Sequence, residues 1–441
     1  MRGDRQKSCF LKSSGWWFDR MRILLISYCF PPFNSIGAIR PGKLASYLVS
    51  RGHDVRVLTC SNQPFPLGLP VEVEPGRITA VAGWSINAPA EWLAGGRELV
   101  AREGFARLTT TSSRMGRLAR WYRTLLHWPD AQVGWVRSAT RAGHALMRSE
   151  RFDLIYVSAA PLSALRVGAR LSDEFGVPWV AELRDLWTDN HAYAYPAWRR
   201  AIERAWESQL LGSAAAIVTV SAPLAAKLSH HGRPVWEIRN GYDPQDTAGW
   251  STPESTAPDE LRVVYTGSVY PGHHDTETFC AGIARFSALG GRIRVVAVGR
   301  DLASLAASAV RHNVSHLFEI QPTVPRLEAL KLQHSADLLL MFLWQGSEEG
   351  IYTTKFFEYA GVGQPMMAIG SATGDVARWI EQSELGSVAS TDVEVAKALV
   401  LWQTRKGSTG KLSVPARKRE DFTRQTQFAR LELLLRSLLP S

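Results

Sequence analysis

Short apolar runs alternate with longer amphipathic stretches along this chain, and this alternation constrains the fold more than any other feature. An apolar run at 21–27 ends before Pro31-Pro32, residues 38–51 carry apolar side chains at helical spacing, and a second apolar run follows at 54–59. Such a strand–helix–strand unit predicts a parallel sheet, because the helix returns the chain to the end at which a parallel strand must start. Comparable apolar runs recur at 153–158, 179–181 and 216–221.

A polar stretch containing Pro244, Pro253 and Pro258 divides the alternation into two halves, and strand-like runs resume at 262–266, 293–298, 318–320 and 338–342. The sequence therefore predicts an α/β protein with two Rossmann-like domains. We place the domains at 21–242 and 260–412, with a linker at 243–259, an N-terminal extension of disordered character at 1–20, and a C-terminal helix at 413–441. Ligands bind beyond the carboxyl ends of strands in such sheets, so a cleft between the two facing domains is the expected site.

Charge is distributed unevenly over the 441 residues. Residues 1–259 carry a net charge of +8, whereas residues 260–412 carry −1. A basic half suits a phosphorylated substrate or an anionic membrane surface. Within it, residues 90–128 interleave arginines with leucines and tryptophan. This pattern is typical of a helix on an anionic membrane, and equally of a surface helix with solvated arginines, and both interpretations stay open.

Several classes of protein are disfavoured by motifs that the sequence lacks. No apolar run approaches the ~18 residues that a membrane-spanning helix requires. Four widely separated cysteines without a CxxC pair argue against a disulfide framework or a structural zinc site, and favour a reducing compartment. No nucleic-acid-binding signature accompanies the basic residues. We therefore expect no bound metal and no nucleic acid partner.

Residues 348–365 contain the most informative candidate for a ligand-binding site. A polar loop follows the apolar run at 338–344 and leads into a helix near Thr353 or Thr354, whose free N–H groups can bind an anion. Lys355 adds a positive charge, and Glu358 follows on the same helix face. A cation at a helix N-terminus suits a diphosphate, and the carboxylate suits a ribose diol. The alternative is a surface Lys–Glu pair worth only ~0.3–0.5 kcal/mol.

A second candidate pair, Arg184 and Asp185, follows the apolar run at 179–181. Asp185 can orient or deprotonate an acceptor hydroxyl, and Arg184 can bind an acceptor phosphate. Alternatively, the two side chains pair with each other, or Asp185 caps the next helix. Gly37 lies in the loop after the first run, where glycine permits a close backbone approach to a ligand, although it is also a common turn residue.

Taken in order, these motifs resemble those of the family-4 glycosyltransferases of the GT-B fold, most closely the bacterial members that build polysaccharides. The resemblance spans almost the whole chain from Met21. It is carried by Phe30-Pro31-Pro32 with Gly37 and Arg40, Arg51-Gly52-His53-Asp54-Val55, Pro129-Asp130 with Gly134-Trp135, Glu182-Leu183-Arg184-Asp185-Leu186-Trp187, Val220-Ser221, Arg239-Asn240-Gly241-Tyr242-Asp243, Tyr265-Thr266-Gly267, Lys355-x-x-Glu358-Tyr359 and Gly363-x-Pro365.

The resemblance implies a metal-independent, retaining enzyme that moves a hexosyl or acetamidohexosyl group from a nucleotide-diphosphate sugar to a glycan or lipid-linked acceptor. It implies a role in polysaccharide and cell-envelope synthesis, no cofactor, and a C-terminal helix at 413–441 that packs back on the first domain. We expect a cytoplasmic location, and the basic character of residues 1–259 favours a peripheral position on the inner face of the membrane. Two alternatives stay open: a non-catalytic homologue that binds a nucleotide sugar, and a nucleotide-sugar epimerase on the same fold.

By the same resemblance, Glu358 binds the donor ribose, and Lys355 with the amides near Thr353 and Thr354 binds the donor phosphates. Gly37 and Gly267 let the backbone approach the donor. The departing phosphate oxygen takes the acceptor proton in retaining members, which leaves a positioning role for Asp185.

One position departs from the family pattern. Many members carry two glutamates separated by seven residues, and the first of these positions is Gly350 here. A loop shift can bring Glu349 to the sugar, or the backbone amides of Gly350 and Ile351 can take its role. The catalytic assignment of Glu349 therefore stays open.

Overall fold

Two parallel sheets form the framework of the protein. The structure, a computed structural model, describes residues 20–87, 114–191, 193–250, 259–346, 354–410 and 412–439, and the side chains of 114–119 lie outside that description. Helices pack on both faces of each sheet, which confirms the predicted α/β class with two Rossmann-like units.

The first sheet has seven parallel strands in the order β3-β2-β1-β4-β5-β6-β7. Its strands are β1 (Arg22–Ile26), β2 (Asp54–Cys60), β3 (Ile78–Val81), β4 (Leu154–Ala159), β5 (Trp179–Leu183), β6 (Ala216–Thr219) and β7 (Val235–Glu237). The helices of this half are α1 (Ile36–Ser50), α2 (Arg114–Leu126), α3 (Val136–Ser149), α4 (Ser163–Phe175), α5 (Ala197–Gly212) and α6 (Ala222–Leu228).

The second sheet has six parallel strands in the order β10-β9-β8-β11-β12-β13. Its strands are β8 (Glu260–Thr266), β9 (Arg292–Val298), β10 (Phe318–Gln321), β11 (Leu338–Phe342), β12 (Met366–Ile369) and β13 (Gly386–Ala389). The remaining helices are α7 (Thr276–Ala288), α8 (Ala303–Arg311), α9 (Arg326–His334), α10 (Thr354–Val362), α11 (Asp375–Gln382), α12 (Asp392–Thr409), α13 (Ala416–Arg419) and α14 (Arg424–Ser437).

Successive residues of the central strands enter different cores. In β1, Leu24 and Ile26 belong to the core on one face of the sheet, and Ile23 and Leu25 belong to the core on the other. A strand that is buried on both faces must be apolar throughout, and this explains the continuous apolar runs in the sequence. The strand order reverses between β1 and β4, and again between β8 and β11. Ligands bind at such switch points, beyond the carboxyl ends of the strands.

The chain crosses between the two halves twice, and the two crossings lie side by side. Tyr242 N donates to Phe422 O over 3.0 Å, and Arg424 N donates to Tyr242 O over 2.8 Å. A Cβ on Gly241 would lie 2.7 Å from Arg424 N and 2.8 Å from Thr423 C, so only glycine allows this approach. The two segments therefore form a paired connection between the sheets.

Helix α14 packs on the first sheet. Phe428, Leu431 and Leu435 on this helix are buried in the core that contains Ile23 of β1. The residue limits drawn above for the domains stay a prediction.

Candidate functional site

The loops at the two switch points bring the sequence-predicted residues to the carboxyl edges of their sheets. Gly37, which the sequence analysis placed in the loop after β1, is instead the second residue of α1, and Arg184 follows β5 in the first half. Gly267 follows β8, and helix α10, which comes after β11, carries Lys355 and Glu358. Gly350, Thr353 and the neighbouring Glu349 lie outside the described residues, and Thr354 is the exposed first residue of α10.

Lys355 lies against the end of β8 and the loop that follows it. Its Nζ donates to the Tyr265 hydroxyl over 2.9 Å and sits 4.5 Å from the centre of that ring. Burial lowers the pKa of Lys355 to about 8, and the nearby Glu358 carboxylate opposes this shift only in part. The ammonium group is therefore partly shielded from solvent. Among the described residues, no carboxylate is in direct contact with it.

Gly267 makes room for that lysine. Its φ is +127°, a region that favours glycine, and a Cβ at this position would collide with the Lys355 side chain. The absence of a side chain therefore lets the ammonium group lie across the loop at the carboxyl end of β8. Backbone amides at such a loop and a nearby cation are the usual elements of a phosphate site.

Glu358 forms no ion pair or hydrogen bond with Lys355, so the two side chains do not form the surface pair that was the alternative interpretation. Its Oε1 lies 3.7 Å from Arg326 Nε, and the same arginine donates to Asp246 over 2.8 Å. Burial raises the pKa of Glu358, while Arg326 and a hydrogen bond from Gln333 oppose the rise. The sequence analysis missed Arg326, which stands at the start of α9, 32 residues before Glu358.

Arg184 links strand β4 to helix α1 in the first half. Its Nε donates to Ala159 O over 3.1 Å, and its Nη1 donates to Gly37 O over 3.0 Å. Its Nη2 lies 3.6 Å from the place that a Cβ on Gly37 would take. Arg184, which follows β5, thus connects the end of β4 to the first turn of α1, and its Nη2 takes part in neither of these bonds.

Asp185 is exposed next to this arginine. Its carboxylate forms no hydrogen bond or ion pair within the described part of the chain, and the next helix begins only at Ala197. Asp185 therefore neither pairs with Arg184 nor caps that helix, which were the two structural alternatives. The carboxylate remains available to a ligand at the edge of the first sheet.

Among the described residues, no group of three or more His, Cys, Asp and Glu side chains is arranged to hold a metal ion. Over the same residues, no helix has both the length and the apolar character that crossing a bilayer demands.

The comparisons with known proteins agree with the two-sheet fold. A family model described as a glycosyl transferase 4-like domain matches residues 38–241. Among solved structures, HepE of Anabaena in complex with UDP-glucose has a TM-score of 0.55 at 14% identity, covering 95% of this chain and 100% of that one.

A glycosyltransferase from Rickettsia africae has a TM-score of 0.60 at 10% identity, covering 96% of this chain and 99% of that one. Sucrose-phosphate synthase from Thermosynechococcus elongatus has a TM-score of 0.55 at 16% identity, with 95% and 99% covered. A search of curated proteins gives no sequence match. Residues 38–241 thus match the model of a glycosyl transferase 4-like domain, and the whole chain shares its two-sheet fold with these solved structures.

Proposed function

We propose that the protein is a retaining glycosyltransferase that moves a hexosyl or acetamidohexosyl group from a nucleotide-diphosphate sugar to a glycan or lipid-linked acceptor. The observation that carries this proposal is the arrangement of Lys355 and Glu358. They lie one helical turn apart on α10 at the second switch point. Lys355 contacts Tyr265, and Glu358 contacts Arg326. The bound UDP-glucose of HepE, a protein with the same fold, is consistent with such a donor.

The donor would lie with its phosphates against Lys355 and the loop at Gly267. The ammonium group then neutralises charge that grows on the diphosphate as it leaves, which is the kind of electrostatic stabilisation that contributes most in enzymes. Glu358 would accept hydrogen bonds from the ribose diol, which fixes the donor along the cleft. We assign no metal ion and no cofactor to these steps, because the lysine can supply the compensating charge.

In the reaction, the bond from the anomeric carbon to the diphosphate breaks, and an acceptor hydroxyl forms the new bond on the same face of the sugar. The acceptor proton passes to the departing phosphate oxygen. Asp185 would accept a hydrogen bond from the acceptor and orient it, and the free nitrogen of Arg184 would bind a phosphate of a lipid-linked acceptor. We place this reaction in the cytoplasm, in polysaccharide synthesis.

Nucleotide binding tests the proposal directly. Thermal unfolding would be measured with UDP, GDP, ADP, CMP and dTDP, for the wild type, for Glu358→Ala and for Glu328→Ala. Glu328 is an exposed residue of α9 and serves as the matched control. At a hundredfold excess over Kd, a bound nucleotide stabilises the native state by about 2.7 kcal/mol. We expect one nucleotide to stabilise the wild type and Glu328→Ala, and to lose most of this effect in Glu358→Ala. No stabilisation by any nucleotide would contradict the proposal.

A peripheral membrane contact forms part of the proposal, and an exposed apolar surface supports it. Trp121 and Leu125 on α2 are 61% and 56% exposed, and Trp198 and Ile202 on α5 are 46% and 52% exposed. Buried Arg199 joins the two helices by donating to the carbonyl of Thr124 over 2.8 Å. Exposed tryptophans beside arginines are typical of surfaces that bind anionic lipid.

Flotation with vesicles that contain phosphatidylglycerol tests this contact. We expect the wild type to float with the vesicles at low salt and to be released at high salt. The double variant Trp121→Ala/Leu125→Ala should float less, whereas Leu433→Ala, which removes a leucine that is 69% exposed on α14, should float like the wild type. Vesicle binding that is absent or equal in all three proteins would exclude this surface.

A further inference from the structure

Asp185 lies between two anchored parts of the segment that follows β5. On one side, Arg184 donates to the carbonyls of Ala159 and Gly37. On the other side, each residue of the run 187–189 forms a side-chain contact with helix α5. Asp185 itself is exposed and makes no such contact within the described part of the chain. The carboxylate that we assign to the acceptor is therefore set between two fixed neighbours.

Thr188 makes two hydrogen bonds to one carboxylate oxygen of α5. Its backbone N donates to Glu207 Oε2 over 3.2 Å, and its hydroxyl donates to the same oxygen over 2.5 Å. Both residues are buried. Glu207 thus fixes the backbone and the side chain of a residue that stands three positions after Asp185.

Trp187 and Asp189 are held by other side chains of the same helix. Trp187 Nε1 donates to Glu203 Oε2 over 3.1 Å, and its ring packs edge-on against Trp206 with the ring centres 5.3 Å apart. Asp189 forms an ion pair with Arg204. Helix α5 therefore holds each of the three residues that follow Leu186.

The two buried glutamates of α5 differ in their charged neighbours. Glu203 Oε1 pairs with Arg199 Nη2 over 2.7 Å, so this carboxylate has a counter-ion. Glu207 forms no ion pair with a lysine or an arginine within the described residues, and His231 Nε2 lies 4.0 Å from its Oε1. Burial lowers the pKa of His231 to about 4, so that ring is neutral near pH 7. Burial raises the pKa of Glu207, and the two bonds from Thr188 oppose the rise.

A buried carboxylate without a cation is costly unless hydrogen bonds compensate for the lost water. The hydrogen bonds that Glu207 accepts within the described residues both come from Thr188. The cost of burying this carboxylate is therefore offset in the segment that carries Asp185.

We propose that Glu207 is a positioning residue for Asp185, an inference that rests on the proposed function. Through Thr188, Glu207 fixes the path of the chain after Asp185, while Arg184 fixes the path before it. The Asp185 carboxylate is then in place at the edge of the first sheet before an acceptor binds. Such preorganisation matters because a reacting group that is misplaced by about 1 Å can lose on the order of a hundredfold in rate.

The alternative is that Glu207 stabilises the first half as a whole, and Glu432 provides the comparison. Glu432 is 5% exposed and Glu207 is 4% exposed, so the two are buried to the same degree. Glu432 lies on α14 and accepts hydrogen bonds from Tyr47 over 3.0 Å and from Arg51 over 3.3 Å. It forms no hydrogen bond or ion pair with residues 184–190 in the described part of the chain. Its removal therefore affects the same half without touching the segment around Asp185.

Amide hydrogen exchange, measured by mass spectrometry on the full chain, tests the inference without a substrate. The proteins are the wild type, Glu207→Ala, Glu207→Gln and Glu432→Ala, and the peptide of interest covers 184–190. We expect this peptide to exchange about tenfold faster in Glu207→Ala, because opening of the segment then breaks two hydrogen bonds fewer. Glu207→Gln should restore the wild-type rate, since its carboxamide oxygen can accept both bonds. Glu432→Ala should leave the exchange of this peptide unchanged.

Two substitutions of Thr188 test the same contact from the other side, and they decide the question if Glu207→Ala does not fold. Thr188→Val removes the hydroxyl donor and keeps the shape of the side chain, so exchange of 184–190 should rise about threefold. Thr188→Ser keeps the hydroxyl and should exchange like the wild type.

Two results would overturn the positioning role: exchange of 184–190 that stays at the wild-type rate in Glu207→Ala and Thr188→Val, or exchange that rises equally in Glu432→Ala. Nucleotide stabilisation, measured on the same proteins, separates this inference from the proposed function. Nucleotide binding by the wild type together with unchanged exchange in the variants would overturn the positioning role alone. Exchange that depends on Glu207 and Thr188 as expected, without binding of any nucleotide, would keep the control of this segment by α5 and overturn the transferase.

Discussion

Arg326 Nε lies 3.7 Å from Glu358 Oε1, and the same guanidinium donates to Asp246 over 2.8 Å. Asp246 belongs to the turn Pro244–Thr247, which follows the first crossing between the two halves. The carboxylate that we assign to the donor ribose is therefore linked through one arginine to the connection between the sheets. This arrangement predicts that Arg326 controls the charge on Glu358.

Removal of Arg326 should change how nucleotide binding depends on pH. Burial raises the pKa of Glu358, and Arg326 opposes this rise. In Arg326→Ala the pKa of Glu358 should rise further, so this carboxylate takes up a proton at higher pH. The protonated group then accepts fewer hydrogen bonds from the ribose diol. We expect the affinity for the cognate nucleotide, measured by calorimetry between pH 5 and 8, to fall with acidification earlier in the variant. Asp246→Asn removes a carboxylate that raises the pKa of Glu358, so its profile should move the other way, toward lower pH. Identical profiles for all three proteins would refute this role.

Lys355 should give the opposite pH dependence at alkaline pH. Burial lowers its pKa to about 8, so the cation is present below that pH and is lost above it. The affinity for a nucleoside diphosphate should therefore decrease by up to about tenfold between pH 7 and 9.5, with the onset moved upward because the bound anion stabilises the ammonium form. Lys355→Arg keeps its charge over this range and should flatten the curve. Lys331→Arg, an exposed position on α9, should leave the curve unchanged. A flat wild-type curve would argue against contact between Lys355 and phosphate.

Gly267 offers a test of the same site with a close control. In Gly267→Ala the new methyl group must displace the Lys355 side chain, and the φ of +127° adds strain. Gly290 has a φ of +85° and nothing within 4 Å of its Cβ position, so Gly290→Ala adds strain without a collision. We expect both variants to lose stability and only Gly267→Ala to lose about tenfold in nucleotide affinity. Equal affinities for the two variants would separate Gly267 from the donor site.

The sequence predicted the central strands well because they are buried on both faces. The apolar runs at 338–342 and 54–59 correspond closely to β11 (Leu338–Phe342) and β2 (Asp54–Cys60). The analysis missed β3, β7 and β13, which are short edge strands whose residues are mostly half-exposed and therefore show no continuous apolar run. It also missed β12, whose four buried residues directly follow Pro365 and are too few to stand out.

The site was predictable where its residues are neighbours in sequence. Helical spacing places Lys355 and Glu358 on one turn of α10, but it cannot show that their side chains point to different partners. Arg326 was missed because it meets Glu358 only through the packing of α9 against α10. The two hydrogen bonds of Arg184 are made to backbone carbonyls, which carry no signal in side-chain identity.

Arg40 connects the first sheet to the first crossing through a fully buried ion pair. Its Nε donates to Glu182 over 2.7 Å, and its two terminal nitrogens donate to Ile238 O over 2.9 Å and to Arg239 O over 2.7 Å. Burial alone would raise the pKa of Glu182, but Arg40 and Arg184 hold it below its usual range. Removing Arg40 would leave a buried carboxylate without its closest cation.

We therefore expect Arg40→Met to lower the free energy of unfolding by about 3–5 kcal/mol, as measured by denaturant unfolding. Arg40→Met/Glu182→Gln should recover part of this loss, because the second substitution removes the unpaired charge. Arg51→Met serves as the control: this arginine is 48% exposed in its pair with Glu432, and such pairs contribute less than about 1 kcal/mol. Two results would show that the buried charge does not determine the stability of this connection. The first is a loss of unfolding free energy in Arg40→Met that is no greater than in Arg51→Met. The second is a double variant that is less stable than Arg40→Met.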